Sequence, residues 1–145
     1  VHHQPDQVMT RVDFYQLNPA GHSFDQVVCK LCQKAYDSKQ LTLLLTRNAE
    51  QSRHLDQRLW TFVDDSFVPH DSEESADFVT PILIHDDPQP AGERQLLINL
   101  SASVPLYFAQ FERVIELVTE ENKAQARENY SFYKERGYTL KHVNL

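Results

Sequence analysis

LTLLLT, Leu41 to Thr46, is a nearly continuous apolar run with polar residues on both sides. Alternation is the mark of a strand with one wet face; an unbroken run of this length marks a strand covered on both. A strand of that kind belongs inside a parallel sheet, so its neighbours should be helices. Upstream, RVDFYQL (Arg11–Leu17) alternates and reads as a first strand, and Asn18 to His22 is a turn. Ser23 is placed as an N-cap, and Phe24, Val27, Val28, Leu31 and Ala35 recur at helical spacing to about Ser38. Downstream, Ala49 to Trp60 reads as a second helix with Leu55 and Leu59 on one stripe.

The first half therefore spells β-α-β-α, and Ser66–Pro69 offers a short third strand before an acidic loop, Asp71–Asp77. Pro81–His85 and Gln95–Leu100 are two further strands. The DDPQPAG segment between them is too short for a helical crossover, so they are antiparallel or not adjacent. Val104–Gln110 reads as a short helix, Phe111–Val118 as a strand, and Glu120–Arg136 as a long helix stopped by Gly137. The expected fold is a single Rossmann-like α/β domain over residues 9–145. Its sheet is mixed but mostly parallel, with helices on both faces. Residues 1–8, opening VHHQPDQ, read as a tag remnant or disordered leader.

Composition narrows the function. The 145 residues carry 14 basic and 21 acidic side chains, a formal charge of −7, which argues against broad nucleic-acid binding by the protein itself. Apolar runs fall short of the ~18 residues a membrane span needs. Two cysteines, Cys29 and Cys32, make no disulfide scaffold, and the cytoplasm is the default compartment. They form a C-x-x-C inside the first helix, beside Val28 and Leu31, where buried core thiols fit better than a redox pair. Of the three glycines, Gly21, Gly92 and Gly137, none belongs to a phosphate-cradling loop, so no nucleotide cofactor is expected. His70-Asp71 and His85-Asp86 could ligate metals in a phosphohydrolase, but each pair sits where a strand enters a turn, and turns enrich aspartate anyway.

Two patches carry more information. Trp60 lies one step, roughly 100°, round from Leu59, and Phe67 follows past an Asp-Asp pair. Aromatic residues beside polar ones either close the core edge or anchor an interface. On the last helix, Lys123, Arg127, Tyr130 and Lys134 share one face. That stripe is either a solvated face balanced by glutamates such as Glu120, or a clamp for carboxylates with an aromatic floor.

The tryptophan helix leading into FVPH, the strand QLLINLS, the segment LYFAQFERV and the terminal ARENYSFYKERGY together resemble the chi subunit of bacterial DNA polymerase III holoenzyme, from about Arg11 to Tyr138. That resemblance implies a non-enzymatic accessory protein of the bacterial replisome. It implies a one-to-one partnership with the psi subunit through Trp60 and Phe67, a surface that in some relatives receives a helicase instead. It also implies capture of the acidic, phenylalanine-ended tail of single-stranded-DNA-binding protein by Lys123, Arg127 and Tyr130, with Val118 at the end of the preceding strand. DNA would be engaged only indirectly, and no metal or cofactor is expected.

Overall fold

The computed structural model describes residues 10–61, 70–71, 81–86 and 94–145, without the side chains of residues 60, 61, 70 and 71. Seven strands and three helices follow one another as β1 (Arg11–Gln16), α1 (Phe24–Asp37), β2 (Thr42–Leu45), α2 (Ala49–Thr61), β3 (His70–Asp71), β4 (Ile82–His85), β5 (Leu96–Asn99), β6 (Arg113–Val118), α3 (Lys123–Glu135) and β7 (Thr139–Asn144). The strands form one sheet in the order β3-β4-β2-β5-β6-β1-β7. Among the described residues, every pairing in it is parallel.

The apolar run of β2 explains itself in this sheet. Leu44 faces one core with Val28, Leu31 and Cys32 of α1 and Leu55 and Leu59 of α2. Leu43 and Leu45 face the opposite core with Phe14 of β1, Phe108, and Tyr133 of α3. Both sides of the strand are therefore dry, and polar alternation would leave a side chain without water or partner on one of them. Helices lie on both faces of the sheet, as expected. The expectation of a mixed sheet gives way to a fully parallel one: β4 and β5 are not adjacent, because β2 lies between them and pairs with both.

Local signals act as the residue types dictate. Ser23 and Gln26 form a reciprocal capping box at the start of α1. The end of α3 is a Schellman turn: Gly137, at φ +80°, donates to the Lys134 carbonyl (3.0 Å), and Tyr138 donates to that of Tyr133 (3.2 Å). The end of α1 has the same wiring around Lys39, which takes φ 58° without being glycine.

Two expected helices have other bounds, one expected strand cannot be placed, and one strand is added. The strand placed at Ser66–Pro69 lies outside the described residues; the strand observed is His70–Asp71, where the acidic loop had been expected to begin, and the rest of that loop is likewise outside them. The helix over Val104–Gln110 contracts to one 3-10 turn, Phe108–Gln110, entered through a turn in which the Phe108 N–H donates to the Pro105 carbonyl (3.1 Å). The last helix starts at Lys123, since Asn122 spends its side chain on the Thr119 N–H and the Leu117 carbonyl and closes a turn first. Finally, Thr139–Asn144 is a strand, β7, paired in parallel with β1.

Candidate functional site

The face of α3 is built from β1 and β6 upward. Phe14, Glu116 and Val118 point to the same side of the sheet, because alternate residues of parallel neighbours share a face. Tyr130 and Tyr133 descend from α3 and meet the Phe14 ring edge-on, with centroids 5.3 and 5.9 Å away. Those contacts fix the helix in rotation, so the residues one step round, Lys123, Arg127 and Lys134, stand out in solvent.

The four residues expected at this site are brought together unequally. Lys123 reaches Glu120 at 3.6 Å, an exposed i,i+3 pair of the kind that balances a solvated helix face. Arg127 is exposed and makes no hydrogen bond or ion pair among the described residues, which leaves its guanidinium fork open to a carboxylate. Tyr130 is half-buried, an apolar body with one side in the core. Val118 is buried in the same cluster as Phe14 and Tyr130, so it forms wall rather than surface. The second patch is described only in part: Trp60 falls within α2, with its side chain outside the described residues, and Phe67 lies wholly outside them. On that helix Leu55 and Leu59 are fully buried against the sheet, as their spacing predicts.

His70 and Asp71 lie in β3 with their side chains outside the described residues, so only the second His-Asp pair can be placed. His85 Nδ1 stands 4.0 Å from Asp86 Oδ1, beyond a hydrogen bond, and no group of three or more His, Cys, Asp or Glu side chains among the described residues is gathered to hold a metal ion. Both cysteines are buried; burial pushes the Cys29 thiol up to about 11 and that of Cys32 higher still, as core residues rather than nucleophiles.

Three features were not anticipated. At the carboxyl ends of β5 and β6 a cleft of about 820 Å³ opens between the N-terminal ends of α1, α2 and α3. That is the crevice in which open α/β sheets ordinarily receive ligands. On its wall a buried polar cluster surrounds Glu116: Asn99 Nδ2 and the Tyr133 hydroxyl donate to Glu116 Oε2 at 2.9 and 2.7 Å. Burial, offset in part by hydrogen bonds from Asn99, Tyr133 and Asn129, raises the Glu116 carboxyl to about 7. His142 of β7, the third feature, stands in register with Phe14 at the rim of the same face. A glutamate in FERVIEL and an asparagine in LLINL give no sequence sign that they will meet, and His142 is placed only by the edge strand.

Among the described residues, no helix is long and apolar enough to cross a membrane. In solved structures the fold matches T4 UvsW with a TM-score of 0.61, over 93% of this chain and 42% of that one, at 8% identity; the likeness is one of fold alone. The sequence is 39% identical to the DNA polymerase III subunit chi of Pseudomonas aeruginosa, over 94% of this chain and 98% of that protein. It is 30% identical to that of Haemophilus influenzae over 83% and 87%, and 29% identical to that of Escherichia coli over 80% and 82%. The family model described as DNA polymerase III chi subunit, HolC, matches residues 9–141. With its α/β fold and its match along nearly the whole length, the chain belongs to the DNA polymerase III chi subunit family, accessory subunits of replication rather than enzymes.

Proposed function

We propose that this chain is a cytoplasmic replisome adaptor with two docking faces. The exposed face of α3 receives the acidic C-terminal tail of single-stranded-DNA-binding protein: Arg127 clamps a carboxylate, Lys123 adds charge, and Tyr130, backed by the core cluster that holds the buried Val118, offers an apolar floor for the terminal side chain. Trp60, on α2, and Phe67, which follows it in the sequence, anchor the psi subunit, or a helicase in its place. The observation that carries this reading is an arginine with no partner among the described residues, standing beside an aromatic ring held edge-on to Phe14. A body of net charge −7 repels DNA generally while the stripe on α3 accepts acids, so template contact runs through the bound tail.

Calorimetry with a synthetic acidic peptide ending in phenylalanine tests the first face. Arg127→Ala should weaken binding by ~1–3 kcal/mol, the worth of a charge-assisted contact; an unchanged affinity removes Arg127 from the site. Trp60→Ala should abolish co-purification of psi and leave peptide binding intact. A metal-dependent phosphohydrolase, the other reading of the His-Asp pairs, has no observation to carry it.

A further inference from the structure

We propose that Glu116 is a positioning residue for the tail-binding face, its charge state setting how α3 seats on the sheet and so how firmly that face holds an acidic peptide. The inference rests on the proposed function of α3 and adds a control to it. Glu116 is 4% exposed and lies beneath the helix. Its Oε2 takes Tyr133 from α3 and Asn99 from β5. Asn129, one turn before Tyr133, accepts from Gln125 (3.0 Å) and donates to the Ala102 carbonyl (3.3 Å) in the loop after β5. The carboxyl thus ties α3 to β5 and β6, and Asn129 ties the same helix to the loop after β5. Asn129 and Tyr133 occupy the same helical turns as Arg127 and Tyr130, so a shift that relieves one set displaces the other.

The surroundings supply no counter-charge. From β5 the facing group is Asn99, from β1 it is Phe14, and from α3 the titratable group is Tyr133, whose own ionisation burial puts out of reach. Across the cleft stand Glu121, Asp25, Glu50, Arg47 and His54, and His142 is at the rim of the face. Among the described residues, no cation pairs with the Glu116 carboxyl. When ionised, Glu116 is a desolvated negative charge under a helix meant to attract anions: it strains the packing of α3, and its field opposes the ligand. When protonated, both effects vanish. The value of about 7 places that change within the ordinary range of cellular pH.

Peptide affinity, measured by calorimetry at constant ionic strength, should therefore rise about threefold to tenfold as pH falls from 8 to 6. E116Q keeps an oxygen to accept from Asn99 and Tyr133 but has no charge. It should bind at pH 8 as tightly as the wild type binds at pH 6, with a flat profile. His142→Gln removes an imidazole at the rim of the same face, and the slope should persist in it. Hydrogen exchange of α3 amides, corrected for intrinsic rates and run without peptide, should show more protection at pH 6 than at pH 8 in the wild type and no difference in E116Q. A flat wild-type affinity, a slope that survives in E116Q, or a slope abolished by His142→Gln would overturn the proposal. Should the peptide fail to bind at every pH while the α3 exchange difference is present, the tail-binding reading falls and the seating of α3 by Glu116 stands.

Discussion

Burying Glu116 has a consequence for folding that can be read without any partner. In the unfolded chain its carboxyl titrates near the ordinary 4.5; in the native protein it is raised to about 7, with desolvation as the largest cause. Between those values the native state holds a proton that the unfolded state has released. Stability contributed by this group is therefore fully present below 4.5, falls as pH rises, and is lost once pH passes about 7. At ~1.4 kcal/mol per tenfold change in proton affinity, the whole excursion amounts to roughly 3 kcal/mol, a large share of a small domain's typical 5–15 kcal/mol. E116Q lacks the titration, so the stability of the variant relative to the wild type should climb by about that amount between pH 4 and pH 8. Urea unfolding of both proteins at several pH values isolates the term, because every other titrating group is common to the pair. A stability difference that does not change with pH would refute the reasoning, by showing that water reaches the carboxylate and hydrates it in place.

Two further outcomes follow from local geometry. Lys39→Gly should stabilise the protein and Gly137→Ala should destabilise it, each by about 1 kcal/mol in urea unfolding, because the two positions share a left-handed helix-ending turn that only glycine enters without strain. Equal and negligible effects would show that the turns relax freely. Cys29 and Cys32 should stay unmodified by an aromatic disulfide reagent at pH 8 in the native protein and react fully in denaturant, since both are buried and burial holds both in the thiol form. Rapid native labelling would place one of them at an opening in the α1 packing.

What was legible in the sequence is what periodicity encodes. Leu41–Thr46 announced a doubly covered strand, Ser23 announced a helix start and Gly137 announced a helix end, because each depends on its own few residues. Strand β7 was not legible. At the sheet edge only Leu140 and Val143 are half-covered, and the polar residues between them carry no strand signal. The contraction of the Val104–Gln110 helix was not legible either, since Val104, Tyr107 and Phe108 all pack into one core cluster, yet only Phe108–Gln110 is helical, as a single 3-10 turn. At the candidate site, helical spacing alone put Lys123, Arg127 and Tyr130 on one face. Which of them is engaged by its own protein could not be read, since the answer lies in the Glu120 contact of Lys123 and the Phe14 contact of Tyr130. Glu116 is the extreme case. Its significance comes from Asn99 and Tyr133, each 17 residues away in opposite directions along the chain.

The division of Leu43 and Leu45 from Leu44 splits the interior into two dry layers, with α2 bedded in one and α3 in the other. Among the described residues, no α3 side chain belongs to the first layer and no α2 side chain to the second, so coupling between the two helices would have to pass through the sheet rather than through a shared set of packed side chains. On the proposed reading, the chain needs no such coupling to act as a tether, whose strength would come from the local concentration it creates between two partners rather than from cooperation between two bonds.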